Sequence, residues 1–305
     1  MIPLSDLGLQ LAMVTLVLFA TFSGPVVAVW LLARRKRLAR AERRSPIGID
    51  LLRPPGHALR EKVEDLRLDV MGDVMGLCIL PPIVLSIYLA QSYLMNTPAT
   101  LVRVGMAVAI ALGCVFVLIR GLLRRSVELD KLRLGLDAEM AVGQELDQLM
   151  KQGASVFHDV PGENFNIDHV VVARQGVFAV ETKGYSKRGN LTGRPGAQVA
   201  FDGRTLGFPG WTTSEPLDQA ERQAKWLASW IAKATALAAP VQPVLALPGW
   251  FVEQKGTGPV EVFNGKQLKD LFRRRTSVDL SPESQQRINY QLEQRCRNVV
   301  PTYRA

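Results

Sequence analysis

Asp168, Glu181 and Lys183 fall within one short stretch, Phe165–Gly184, that reads FNIDHVVVARQGVFAVETKG. Two carboxylates and an ammonium this close either neutralise one another as an ion pair or share a divalent cation, with the lysine stabilising charge on a phosphate. The apolar runs Ile167–Ala173 and Val177–Val180, broken by Arg174-Gln175-Gly176, have the pattern of an antiparallel hairpin. With Ala173 facing Gly176, the register sets Asp168 opposite Glu181, where cross-strand Cβ atoms stand about 4.5–5.5 Å apart. Lys183 then shares a face with Glu181, whereas a slip of one residue would part the two acids. Carboxylate oxygens with open positions suit Mg2+ (or Mn2+), and the carbonyl of Thr182 projects between the acids as a further ligand. One chemistry that such a set could do is phosphodiester hydrolysis, in which a cation would supply a nucleophilic water and offset phosphate charge while Lys183 would hold that water or the pentavalent phosphorus. On the residues alone, a structural ion pair stays open beside that reading.

The elements around the hairpin are those that must position it. Leu129, Leu132, Leu136, Met140, Leu146 and Leu149 recur at helical spacing, so a helix over Val127–Met150 leads in, interrupted at Gly143, with Glu145 on a neighbouring face. Ala154–Val160 reads as a first strand and Pro161–Asn164 as the loop into the hairpin. His158 and His169 read as hydrogen-bonded structural groups rather than ligands. The glycine-rich segment Gly184–Gly196 carries Lys187, Arg188 and Arg194, a loop that either touches phosphates or is simply solvated. A short strand over Ala197–Phe201 precedes a helix over Pro216–Ala238, with Leu217, Ala220, Ala224, Leu227, Ile231 and Ala234 on one stripe and Gln219 and Gln223 beside it. Trp226 and Trp230 at that spacing read as packing residues. Val241–Leu247 and Val260–Phe263 are further strands, Gly265–Arg273 a helix, and Ser281–Arg297 a final helix capped by Ser281-Pro282-Glu283.

Composition adds a membrane. Three apolar runs, about 9–33, 74–94 and 101–119, each approach the roughly 20 residues that a bilayer core requires. The formal charge is +9, but residues 34–70 hold 11 Lys/Arg against 6 Asp/Glu, whereas 127–305 hold 22 against 20. Basicity therefore reports topology. Lys and Arg gather on the cytoplasmic side, so the N-terminus is expected outside, the basic loop 34–70 inside, and the C-terminal half in the cytoplasm of a multi-pass protein of the inner (cytoplasmic) membrane. No acid or base marks a transport path within the spans. Cys78, Cys114 and Cys296 offer neither metal spacing nor a disulfide framework. Residues 1–126 read as the membrane region, 127–275 as the soluble domain and 276–305 as a helix packing on it.

The motifs GQELD (Gly143–Asp147), IDHVVV (Ile167–Val172), GVFAVETKG (Gly176–Gly184) and PLDQ (Pro216–Gln219), in this order, resemble the nuclease-related domain, NERD, of the PD-(D/E)xK nuclease superfamily. The resemblance covers roughly Leu136–Phe272. It implies an α/β (α+β) fold with a restriction-endonuclease-like αβββαβ core and a mixed sheet, here preceded by three transmembrane helices. It also implies Asp168 and Glu181 as metal ligands, Lys183 as the catalytic lysine, Glu145 as the acid from the first helix and Gln219 as a polar site residue. Ile167 stands where the superfamily's namesake proline would precede the acid, a feature that NERD sequences share. The function implied is a membrane-anchored, Mg2+- or Mn2+-dependent nuclease acting on DNA rather than RNA. The alternative is a catalytically silent or partner-dependent membrane-tethered nucleic-acid-binding module.

Overall fold

The computed structural model describes residues 27–28, 30–32, 34–35, 47–94, 100–187, 193, 195–268 and 279–301. The chain divides into two units, Met1–Leu51 with Val299–Ala305, and Leu52–Asn298. In the first, the described residues from 27 to 35 are helical and exposed. The expected span over 9–33 otherwise lies outside the described residues, as do Arg188, Arg194 and most of the helix expected over Gly265–Arg273.

The second unit begins with two long helices, α1 (His57–Leu94) and α2 (Leu101–Asp147). Both are long and apolar enough to cross a membrane, and their most apolar stretches are unburied. A helix that is apolar all round and has no protein cover belongs in a membrane or a larger core. Among the described residues these two helices take in the second and third expected spans. The polar residues 57–69 and the second apolar run are one element, and α1 runs on through Pro81 and Pro82. The third span and the lead-in helix are likewise continuous, because Ile119–Val127 is built from helix-forming Leu and Arg with a single Gly121 and no proline. Asp73 of α1 and Arg125 of α2 form an ion pair between the helices.

The end of α2 turns inward on a stripe of Ala138, Glu139, Val142, Gly143 and Leu146. Gly143 does not interrupt the helix. A Cβ there would stand 2.7 and 2.9 Å from the Pro55 ring, so the glycine permits a close approach of the chain that precedes α1. Three antiparallel strands follow, β1 (Ser155–Pro161), β2 (Asn166–Ala173) and β3 (Gly176–Thr182). A small set comes next: β4 (Gln198–Phe201), β5 (Leu206–Phe208) and β6 (Trp211–Thr213). Then come α3 (Glu215–Thr235), β7 (Val241–Ala246), β8 (Phe251–Gln254), β9 (Glu261–Phe263) and α4 (Pro282–Cys296). The main sheet has the order β9-β7-β3-β2-β1, with β7 parallel to both β3 and β9. The second sheet is β6-β5-β4-β8. The fold is thus α+β with mixed sheets, and its main elements follow in the expected order of helix, three strands, helix and strand.

Both faces of the main sheet are covered, which is why β2 and β3 read as unbroken apolar runs rather than alternating ones. Val171, Ala173, Phe178 and Val180 pack with Val142 and Leu146 of α2. Val170, Val172, Val177 and Ala179 pack with Leu227 and Ile231 of α3 and with Ile288 and Leu292 of α4. Burying each such Leu or Ile contributes about 1.5–3 kcal/mol. The Ser281 hydroxyl caps α4 by accepting from the Ser284 N–H at 3.2 Å.

Candidate active site

The β2–β3 ladder pairs Ala173 with Gly176 and runs to His169 with Val180. One step further, Asp168 comes opposite Glu181. Continuing the alternation, both acids share the α3 side of the sheet, at the edge where β2 begins and β3 ends. Asp168 accepts from the backbone N–H of Thr182 at 2.6 Å. Glu181 is almost wholly buried, and its two oxygens meet the Lys183 ammonium at 2.7 Å and the Gln223 amide at 2.6 Å. The ammonium also donates to Gln219 Oε1 at 3.0 Å. Beyond Lys183 the chain crosses α2 so closely that a Cβ on Gly184 would stand 2.7 Å from the Leu134 carbonyl.

Gln219 and Gln223 reach the site because α3 places one buried stripe of Pro216, Leu217, Ala220, Gln223, Ala224, Leu227 and Ile231 against the sheet. A glutamine on such a stripe must be hydrogen-bonded. Gln223 donates to Glu181 and, at 3.2 Å, to the Asn166 carbonyl, and Gln219 lies at the stripe's edge. The side-chain oxygen of Gln223 and the hydroxyl of Thr182 are buried without a partner among the described residues.

The acid that α2 brings to this cluster is Glu139. It is 8% exposed, and its carboxyl is pushed up to about 8 by burial, by the charges of Asp159 and Glu181, with Lys183 and Lys62 pulling the other way. Burial also lifts Asp168 well above the usual carboxylate range, with the charges of Glu181 and Glu139 adding and the Thr182 N–H and Lys183 opposing. Burial pulls the Lys183 ammonium down, but its ion pair and hydrogen bond with Glu181 and the charge of Asp168 raise it overall. Glu145 is placed elsewhere: it lines a separate cavity with Ala141, Pro248, Gly249, Asn264 and Lys266. It is six residues past Glu139, and at about 3.6 residues per turn that points it to another side of the helix. Glu139 had a legible sign, since it falls three residues after Leu136 and four before Gly143, on the apolar stripe itself.

A fourth acid, Asp159, sits across from Asp168 on β1, between the paired positions His158–His169 and Val160–Ile167. Its φ of +48° takes it out of the ladder. The carboxylate instead accepts from Arg53 at 2.8 Å, from the Ala58 N–H of α1 at 3.2 Å and from Asn166 at 3.0 Å. It thereby satisfies one of the open N–H groups at the start of α1. His158 bridges Asp147 at 3.1 Å and His169 at 2.9 Å, a hydrogen-bonded chain rather than a ligand set. Burial keeps both imidazoles below the ordinary histidine value. Trp226 and Trp230 stack on each other under the Arg295 guanidinium and pack on the core.

Among the described residues no three His, Cys, Asp or Glu side chains converge closely enough to hold a metal ion as they stand. Residues 134–248 match the family model of the nuclease-related domain. No curated protein and no solved structure matches the chain.

Proposed function

From the match of residues 134–248 to the family model of the nuclease-related domain, we propose that the chain is a membrane-anchored, divalent-cation-dependent nuclease that hydrolyses phosphodiester bonds in DNA. The observation that carries the reading is the meeting of Asp168, Glu181, Lys183 and Gln219 at one sheet edge, in a restriction-endonuclease-like order of elements.

The donor set suits a hard cation. Asp168, Glu181 and Glu139 bring three carboxyl groups within one another's fields, and at Asp168 the fields of Glu181 and Glu139 outweigh that of Lys183. Asp168, Glu181 and the Thr182 carbonyl would hold Mg2+ or Mn2+, with Glu139 in place of Glu145 as the acid from the first helix. When bound, the ion supplies a nucleophilic water and offsets phosphate charge. The chain's own residues do the rest. Thr182 and Gln223 orient the two carboxylates by fixing one oxygen of each. Gln219 and Glu181 aim the Lys183 ammonium, and its raised pKa keeps it charged for a phosphate oxygen.

The two apolar helices support anchoring, and the basic loop 34–70 supports a cytoplasmic domain at the inner membrane. The test uses the full-length chain in detergent, because Gly143 on Pro55 and Asp159 on Ala58 tie the domain to the start of α1. With Mg2+ or Mn2+ it nicks supercoiled plasmid, and Asp168→Ala and Lys183→Ala each lower the rate by about a hundredfold or more. Activity unchanged in both variants sinks the mechanism. The silent-module alternative draws on Glu181, whose oxygens are both engaged by side chains of this chain. It predicts DNA binding without cleavage, and no calorimetric Mn2+ affinity that Glu181→Ala removes.

A further inference from the structure

Four aromatic rings gather beside Lys183, and the hydrolytic site uses none of them. Tyr185 stands two residues beyond the lysine, its ring edge-on to Phe208 at 5.2 Å and to Trp211 at 5.1 Å between centroids. Phe208 and Trp211 lie parallel, 5° apart, at 4.2 Å. Trp250 closes the base of the cluster against Phe208 at 4.9 Å, and its indole N–H donates to the Tyr185 carbonyl at 3.1 Å. Phe208 and Trp250 are buried. One face of the Trp211 indole is seated on Phe208, and among the described residues Trp211 keeps 40% of its surface exposed.

The indole is held in place by the backbone. Phe208 and Trp211 are direct partners in the β5–β6 ladder, closed by Pro209 and by Gly210 at φ +88°. An aromatic face fixed in advance loses little freedom when a ligand stacks on it. The surroundings are basic: the Lys187 ammonium lies 6.0 Å from the centre of the Trp250 ring, in the glycine-rich segment that follows the catalytic lysine. The Tyr185 hydroxyl is raised first by burial, with Lys183 opposing and Glu215 and Glu181 adding, so the cluster lies within the field of the acid site. An exposed ring in a cluster that also holds the Lys187 ammonium, four residues on from Lys183, matches a strand in which phosphates alternate with bases. Bases inside a duplex hide their faces in the stack, so the matching ligand is unpaired.

We propose that Trp211, backed by Phe208 and edged by Tyr185, is a stacking platform for an unpaired base of a single-stranded nucleic acid whose backbone enters the site at Asp168, Glu181 and Lys183. The proposal rests on the nuclease reading above and names its substrate form.

Binding of the full-length chain in detergent to a short fluorescein-labelled oligothymidylate, with chelator present to stop turnover, tests it. An abasic oligomer of the same length and charge is the control. Trp211→Leu keeps the apolar bulk and is expected to weaken the oligothymidylate about tenfold while leaving the abasic oligomer unchanged. Trp211→Phe keeps a ring and retains most of the affinity. Equal binding of oligothymidylate by wild type and Trp211→Leu overturns the platform and leaves the shelf to a protein contact. An equal loss on the abasic oligomer overturns it as well. If the wild type cleaves DNA in Mg2+ in either of those cases, only the platform has failed. A wild type that neither binds nor cleaves nucleic acid overturns the nuclease reading and the platform together.

Discussion

Glu139 and Gln223 each occupy a position that helical spacing reserves for an apolar side chain, and Gln223 is met there by Glu181 and the Asn166 carbonyl. Glu139 holds its proton up to about pH 8, against an ordinary value of 4.5. Between those values the folded chain keeps a proton at Glu139 that the unfolded chain has released, so this group's contribution to stability is full below 4.5 and is lost as pH rises toward 8. In chelator the denaturation midpoint should decline across that window, by a free energy on the order of a few kcal/mol. Glu139→Gln should flatten the decline, and Glu145→Gln should leave it intact. The same pair separates the two acids in function: Glu139→Gln should lower plasmid cleavage at least tenfold, and Glu145→Gln should change it little. Gln223→Leu should leave one oxygen of buried Glu181 without its donor, at a cost of about 1–3 kcal/mol in a denaturant titration. Asp168, Glu181, Lys183 and Gln219 were legible as residues because their types are specific. Glu139 was legible only as an acid on an apolar stripe, a sign outweighed by the more familiar look of GQELD.

At the scale of elements, α1 is tied to the main sheet through Asp159. Its carboxylate joins Arg53, the first turn of α1 and the β1–β2 hairpin whose second strand carries Asp168. Asp159→Ala removes a half-buried ion pair and a helix cap, and should destabilise the chain by about 3 kcal/mol. Asp159→Asn, which keeps an acceptor, should recover part of that. Differential scanning of the detergent-solubilised chain measures both. Two shapes could be read in advance: the hairpin register, from apolar runs on either side of a Gln-Gly turn, and α3, from its apolar stripe. Strands β5, β6 and β8 could not, because three or four residues give no period and their order depends on pairing with distant segments. The continuity of α2 was missed because a change from apolar to polar composition reads as a boundary, although no helix-breaking residue marks it.

For the whole molecule, the unburied apolar lengths of α1 and α2 set the environment. The full-length chain should sediment with membranes and resist alkaline carbonate, and a protease-sensitive tag after Ala305 should be cleaved only when the cytoplasmic side is opened. Release by carbonate would argue instead for a second protein covering the two helices. Any nucleic-acid surface must be local, because the half carrying the acid site is close to neutral in charge.

The amino-acid sequence by itself determined the chemistry-bearing types, the hairpin that sets Asp168 opposite Glu181, the order of the main elements and the apolar lengths near the N-terminus. Each follows from short-range periodicity and turn chemistry, which neighbours in the chain dictate. Only the tertiary structure decided which acid of α2 joins the cluster, that Gln223 grips Glu181, that Asp159 ties α1 to the sheet, and that four rings from separate segments meet beside Lys183. Those contacts join residues tens of positions apart. Side-chain direction, close approach at Gly143 and Gly184, and the left-handed backbone at Asp159 select them, and no local pattern carries that information.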